Sequence, residues 1–440
     1  MSGKKIFKKQ NNVFVLISKV AFLFVLFQTV FATNIKAQFK IDAELRNRSE
    51  FRDGYAKLSS RGSTPAFLVT QRTRVVFSYE SENLKIKFTP QDVRIWGDDS
   101  NITLAGSNGN NASIDLFEGF ADFKIGKNSW LAVGRQQLVY DNQSILSNAN
   151  WNQNGISSDA VLLKLKLSEW NIHIAGSWNT AQQAATDNFY PTDRYKSINF
   201  LWINRQFNDH FKLSFIHVAA GRTQTDTTNN INFRQTTGIY TTYKNGNFSF
   251  WGNAYYQFGK SQTGKKASAM LLDVEAGYKL KSFTPGIGFS YISGNSKTGN
   301  SMTTDRLYEP IYRSRHAFNG FIDYYTTYSK QTANGGLADF YGFLDFVPSK
   351  TVSIRNKLHF IQLAETNPGT PTNKNLGVEN DLVVKFKFSE WGQLEGGYLF
   401  YVPTSTLKTI QNVPNGKFSQ FVYLQLTIAP ILFKNELKKM

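Results

Sequence analysis

The 440-residue sequence contains no cysteine. It therefore cannot form a disulfide, a thiolate metal site or a cysteine nucleophile. Apart from one apolar run near its beginning, it has no stretch approaching the roughly 20 residues that a membrane-spanning helix needs. Helical periodicity is also scarce, so any part of the remaining chain that lies in a membrane must cross it as strands.

Aromatic and small residues are abundant instead. The chain has 37 Phe, 20 Tyr and 32 Gly, yet its mean hydropathy is negative, at -0.35. This composition suits a sheet with one apolar and one wet face, bordered by aromatic girdles, as in transmembrane barrels. The net charge is +18, and six of the positive charges precede Gln38 without any acidic residue. The positive charge that remains after Gln38 favours an acidic partner such as an anionic saccharide, anionic lipid or nucleic acid.

The first 37 residues have the features of a signal peptide. Four lysines lie between Lys4 and Lys9, residues 20–27 are apolar, and the small residue Ala37 precedes Gln38. This order predicts export and cleavage after Ala37, leaving residues 38–440 as the mature domain. An uncleaved anchor is the alternative, but the apolar run is short for a spanning helix. A lipoprotein is excluded because no cysteine follows the cleavage point.

Apolar and polar residues alternate with a period of two through most of the remaining chain. In the first segment, Arg46 and Arg48 fall on one face and Leu45 on the other. We predict strands at 39–52, 67–79, 83–96, 114–124, 130–138, 158–167, 171–178, 195–204, 211–220, 232–243, 247–258, 268–280, 285–293, 338–346, 351–362, 378–388, 391–401 and 418–428.

The connections between these segments alternate between long and short. A nineteenth candidate, 316–325, breaks both this alternation and the period of two, so we assign it to one long loop over 294–337. The pattern then predicts an all-β fold, a transmembrane antiparallel up-and-down β-barrel of about 18 strands with long extracellular loops and short periplasmic turns. The near-repeat of 164–170 at 385–391 predicts two hairpins, each with a Trp at the membrane interface.

Enzyme and cofactor motifs are weak. None of the five histidines is spaced for metal binding, and the Gly-rich stretch 259–265 has Lys266 where a phosphate-binding loop needs Ser or Thr. Asp98 and Asp99 are weak calcium candidates. A lipase-type site would need His173 and Ser177, which lack an evident third member. The sequence therefore predicts no enzyme activity and no cofactor.

Basic residues within alternating segments are the better candidates for function. A charge facing lipid costs about 2–4 kcal/mol at the bilayer midplane, so these side chains should face the lumen. The predicted substrate-path residues are Arg46, Arg48, Arg52, Arg72, Arg74, Arg94, Lys85, Lys87, Arg135, Lys164, Lys166, Lys385 and Lys387. The alternative is a lumen of balanced ion pairs without substrate preference, and lysines near strand ends could also extend to headgroups.

Three groups of residues resemble signatures of the alginate-export family of outer-membrane porins. The segment 91–97 resembles a strand-ending Asp-x-Arg-x-Trp-Gly motif. The segment 134–136, followed by Trp151 and 159–160, resembles a Gly-Arg-Gln, Trp, Asp-Ala series. Residues of the long loop resemble a third signature: Tyr308, Glu309, Pro310, Ile311, Tyr312, His316, Phe318, Gly320, Asp323, Gly336, Leu337 and Asp339. Together these matches span about residues 90–340.

The resemblance implies a monomeric barrel with a basic lumen that secretes anionic polysaccharide. The family usually carries Arg near Ser144 and Ile156, which this chain does not. The leading hypothesis is therefore an outer-membrane channel for alginate or other anionic polysaccharides and solutes. The alternative is a plugged barrel that docks an envelope export or uptake complex. The expected partners are outer-membrane lipid, the anionic solute and periplasmic export components, with no nucleic acid.

Overall fold

The computed structural model describes residues 37–98, 114–186, 188–296, 303–366 and 371–435, so residues 1–36 of the predicted signal peptide lie outside the described residues. Within these ranges the chain forms eighteen long strands joined in sequence order by antiparallel pairing. Strands β1–β18 are Gln38–Asp53, Ala66–Glu80, Leu84–Ile95, Ile114–Lys124, Trp130–Gln136, Ser158–Leu167, Trp170–Trp178, Ser197–Gln206, Phe211–Thr223, Ile231–Asn245, Phe248–Gly259, Ala269–Tyr278, Phe283–Ile292, Leu337–Phe346, Val352–Gln362, Asn375–Lys387, Gly392–Pro403 and Ser419–Ile428.

The sheet closes because its last strand pairs with its first. In the β1–β18 pair, Leu45 lies opposite Ile428 and Asp53 opposite Gln420. Beyond Pro430 the chain returns to β1 as the short strand Ile431–Lys434. Closure removes free sheet edges and lets the backbone polar groups pair within the sheet, as hydrocarbon surroundings require. This confirms the predicted eighteen-strand barrel.

Every predicted strand overlaps an observed one, and the segment 316–325 contains no strand. This segment lies in the connection between β13 and β14, which holds a 3-10 turn at Arg315–Ala317 and the helix α1, Tyr328–Gln331. A second short helix, α2, is Ser405–Ile410 between β17 and β18. None of the helices in the described ranges is long and apolar enough to cross a membrane.

Successive side chains point to opposite sides of the barrel wall. In β1, Leu45 is 38% exposed, whereas its neighbours Arg46 and Arg48 are only 3% and 5% exposed. Large apolar side chains such as Phe88 and Phe340 are exposed on the outer face. The period of two therefore places apolar residues towards lipid and most charged residues towards the lumen.

The two rims of the barrel differ. One rim carries short turns, including the two near-repeated hairpins, whose Trp170 and Trp391 are partly exposed as predicted for an interface. The other rim carries the long connections, two of which, 137–157 and 293–336, contribute fully buried side chains such as Leu146 and Ile322. These two connections fold into the lumen and position the candidate site.

Candidate functional site in the lumen

Arginines on β1 and β2 hold one segment of the first inward-folded connection. Arg46 donates to the backbone carbonyls of Asn150 and Asn152 at 2.7 and 3.0 Å, and to the side-chain oxygen of Gln153 at 2.9 Å. Arg72 donates to the side-chain oxygen of Asn150 at 3.0 Å. Because a guanidinium has five donors and no acceptor, it suits a loop that presents carbonyl oxygens. The arginine ladder therefore fixes segment 150–154 against the wall.

Two further arginines extend this clamp. Arg48 donates to the carbonyl of Trp151 at 2.8 Å, and its guanidinium carbon lies 3.8 Å from the centroid of the Trp151 ring. Arg74 donates to the carbonyl of Asn154 at 3.2 Å. Arg48 also pairs with Glu50, which pairs in turn with Arg52. Arg46, Arg48, Arg72 and Arg74 are thus engaged by the protein itself.

The second inward-folded connection docks on β16, three strands from β1 around the wall, through carboxylates. The amide of Ile322 donates to Glu379 at 2.7 Å, and the amide of Phe321 donates to Asp381 at 3.1 Å. The preceding residue, Gly320, has φ +89°, and a Cβ there would lie 2.2 Å from Oε2 of Glu379. Only glycine allows the backbone to approach the carboxylate this closely.

The two connections meet in the lumen at an aromatic contact. The rings of Trp151 and His316 are stacked, with centroids 3.7 Å apart. Trp151 Nε1 donates to the Tyr55 hydroxyl at 3.1 Å, and that hydroxyl donates to Asp323. Burial, reinforced by Asp323, raises the pKa of Tyr55, so the neutral phenol persists and can donate. These contacts, here called the constriction, join the two connections inside the lumen.

A basic and aromatic cavity of about 580 Å³ borders this constriction. Arg194, Arg315 and three tyrosines, Tyr190, Tyr195 and Tyr312, contribute to its lining. Two other arginines that line it, Arg222 and Arg313, are paired with Glu309 and Asp273. Arg194 is 68% exposed at its side chain, with Asp193 no nearer than 3.9 Å. The cavity therefore combines available guanidinium donors with aromatic faces.

A second cavity, of about 540 Å³, lies on the short-turn side of the first connection. Its lining includes Lys164, Lys212 and His173, together with Tyr140 and Trp202. The Tyr140 hydroxyl lies 2.9 Å from His173 Nδ1. Cavities thus lie on both sides of the folded connections, as expected for a path interrupted by a constriction.

Several predicted path residues are paired with inward-facing acids. Lys85 lies 2.5 Å from Glu80, Lys87 2.6 Å from Glu118, Lys164 2.7 Å from Asp122 and Lys385 3.2 Å from Glu395. Lys166 and Lys387 lie near the short-turn rim. The lumen wall around these lysines therefore resembles the alternative of balanced ion pairs without substrate preference.

Arg135 differs from its expected position. Its cross-strand neighbours are Gly119 and Asp159, and it shares the outward face of Val133. The outward charge is tolerated because it lies at the long-loop end of β5, where two hydrogen bonds of 2.9 and 2.8 Å join it to Asp159. Arg135 therefore lies outside the lumen.

Arg94 also faces outward, because Asp92 and Arg94 lie opposite Thr73 and Gln71 on the face of Leu45. It lies near the long-loop end of β3 and pairs with Asp92 at 2.8 Å.

The calcium candidates Asp98 and Asp99 are not both among the described residues. Asp99 lies outside the described residues, so the pair cannot be placed together. Across the part of the chain that the structure describes, no group of three or more His, Asp or Glu side chains is arranged to hold a metal ion.

The sequence matches the family described as Alginate export over residues 37–407. The chain belongs to the alginate export family. No match was found among curated proteins. Family membership and the porin-like barrel make it an outer-membrane channel for solutes rather than an enzyme.

Solved structures share the fold at low sequence identity. OpdL of Pseudomonas aeruginosa has a TM-score of 0.60 and 11% identity, covering 90% of this chain and 99% of its own. OccAB4 of Acinetobacter baumannii has a TM-score of 0.59 and 12% sequence identity, and the match covers 92% of this chain and 99% of OccAB4. The outer membrane protein opdK of Pseudomonas aeruginosa has a TM-score of 0.59 and 10% sequence identity, and the match covers 91% of this chain and 99% of opdK. At such identity the likeness concerns the fold alone.

Most site residues that the sequence did not predict as substrate-path residues lie in loops. Arg194 and Arg315 lie in long connections, where period-two alternation gives no information about direction. Trp151, His316 and Gly320 belong to the family-like signatures, which marked them without indicating their contact. The pairing of distant loops is a tertiary property, and no local pattern encodes it.

Proposed function

We propose that this family member conducts anionic solutes, with carboxylated saccharides as the preferred class. The observation that supports this proposal is the cavity next to the constriction, which combines Arg194 and Arg315 with tyrosine rings. Arginine offers a planar fork of donors to a carboxylate, and an aromatic face suits the apolar side of a sugar ring. Weak contacts of this kind at several stations would allow passage without trapping the solute.

The predicted lumen residues have two roles in this proposal. The basic residues near the short turns, such as Lys166 and Lys387, attract anions along the path. The arginines of β1 and β2 instead set the pore width, because they hold segment 150–154 in place. We further propose that residues 1–37 are removed on export and that the barrel acts as a monomer.

The test is single-channel recording with the refolded mature chain in a planar bilayer. We expect stable conductance steps, anion preference and reversible block by a tetra-uronate at about tenfold lower concentration than by a neutral tetrasaccharide. The double variant Arg194→Gln/Arg315→Gln should lose most of this preference. Arg61→Gln, at an exposed loop position outside the cavity lining, is the matched control and should retain it. Equal block by both tetrasaccharides would contradict the proposal.

A second candidate function is a plugged barrel that docks an export or uptake partner. The observation that favours it is the docking of Phe321 and Ile322 onto buried Asp381 and Glu379. This candidate predicts negligible conductance from the intact barrel. Replacing residues 314–325 by a short Gly-Ser linker should then produce large conductance steps, whereas a channel that already conducts would change only in magnitude.

A further inference from the structure

The outer face of the barrel carries an apolar hollow of about 480 Å³ on strands β11–β15. Its floor follows one row of the sheet, in which Ala276 and Gly342 lie on either side of Ile287. The adjacent row towards the long loops forms a wall of three phenylalanines, Phe289, Phe340 and Phe360. The hollow thus lies where the outer surface has small side chains beside large ones.

Gly342 is not required by the backbone at this position. A Cβ built there would meet a single neighbouring atom, the carbonyl oxygen of Gly286, at an ordinary 3.9 Å. Its φ is not in the left-handed region that favours glycine. A larger residue would therefore fit the strand, and its effect would be to fill the hollow.

Below the hollow, two consecutive short turns form a strongly basic rim. Lys279, Lys281 and Lys350, here called the lysine arc, lie in the turns that follow β12 and β14, and all three are exposed. None has an ion-pair partner among the described residues. The two turns are in contact, since the amide of Val347 donates to Ser282.

The rest of the short-turn rim lacks such a concentration of positive charge. Acidic residues occur in four other short turns: Glu82, Glu169, Asp209 and Glu390. In contrast, the two turns of the lysine arc contain no acidic residue. The arc is therefore a local feature of the rim that lies directly under the hollow.

From this juxtaposition we infer a binding site for one anionic phospholipid of the periplasmic leaflet. Gly342 lies four residues from the strand end at Phe346, about 14 Å along the strand at ~3.4 Å per residue. That distance lies within the roughly 15 Å half-thickness of the hydrocarbon core, so a phosphate at the arc would place an acyl chain in the hollow. Lysines near a membrane surface attract anionic headgroups.

The test measures lipid binding to the full barrel in an uncharged detergent by native mass spectrometry. The probes are phosphatidylglycerol and phosphatidylethanolamine with identical acyl chains. We expect phosphatidylglycerol to bind about tenfold more tightly, because each lysine near the surface adds favourable attraction. Lys279→Gln/Lys281→Gln/Lys350→Gln should remove this preference, whereas Lys127→Gln, in another short turn, should not.

A second pair of variants tests the hollow independently of charge. Gly342→Leu should weaken phosphatidylglycerol binding about tenfold by occupying the space of the acyl chain. Ala121→Leu, on the outer face of β4 far from the hollow, should leave binding unchanged. Equal affinity for the two lipids would overturn the inference. Loss of preference in the lysine variant without an effect of Gly342→Leu would also overturn it.

Discussion

The indole of Trp151 lies flat against the imidazole of His316, with ring centroids 3.7 Å apart and planes 3° from parallel. The two residues belong to different long connections, each anchored to a different part of the barrel wall. Trp151 is held by arginines of β1, and the segment after His316 is held by carboxylates of β16. The stack therefore joins two independently anchored loops inside the lumen.

Replacing His316 by alanine should widen the constriction without unfolding the barrel. The ring contributes stacking to Trp151 and to Phe321, while the strands that close the barrel do not depend on it. We expect single-channel conductance to rise about twofold, since a narrow lumen limits ion flow. Trp391→Ala, at the exposed short-turn rim, serves as the control. Unchanged conductance in His316→Ala would show that the narrowest point lies elsewhere.

Replacing Arg46 by methionine should loosen segment 150–154. The substitution keeps much of the side-chain volume but removes hydrogen bonds to Asn150, Asn152 and Gln153. A loss of about 2 kcal/mol from the free energy of local opening corresponds to roughly 30-fold faster amide exchange in this segment. Lys164→Met, which removes a lumen charge paired with Asp122, should leave that exchange unchanged. Equal exchange rates in both variants would argue against the clamp.

The barrel itself could be predicted from the sequence because its signals are local. Alternation in β1 places Leu45 and Arg46 on opposite faces of the sheet. Because one face of the sheet is buried, the pattern also fixes which residues point to which side. The segment 316–325 could be excluded because it breaks that period. Arg135 was misplaced because a strand-end position near the headgroups tolerates an outward charge, which the lipid-cost argument treats as forbidden.

The constriction could not be predicted in the same way. Arg48 alternates with apolar neighbours as a free lumen charge would, but the structure gives it Glu50 and the carbonyl of Trp151 as partners. A lumen residue's partner comes from a loop about a hundred positions away, and the loop's position depends on the whole barrel. The sequence therefore indicates which charges face inward, whereas only the fold shows which remain available to a solute.

Cleavage after Ala37 stays a prediction that intact mass can test. Protein recovered from outer membranes should begin at Gln38, because the small residue at position 37 suits the signal peptidase. Ala37→Glu should retain the N-terminal segment and give the mass of the full chain, 49.9 kDa before the substitution is counted. An unprocessed N-terminus in the natural sequence would instead favour the membrane-anchor alternative.

Replacing Gly320 by alanine should release segment 314–325 from the wall. The added Cβ would lie 2.2 Å from Glu379 Oε2, and the φ of +89° adds roughly 1–3 kcal/mol of backbone strain. We expect faster trypsin cleavage after Arg315, while the barrel strands remain protected. Gly62→Ala is the control, because Gly62 has the same φ of +89° but a Cβ added there would have no atom within 4 Å. Gly62→Ala, in another connection, should leave cleavage after Arg315 unchanged, whereas Glu379→Ala should also speed it by removing the acceptor of the Ile322 amide. Unchanged cleavage in Gly320→Ala would contradict the proposed docking.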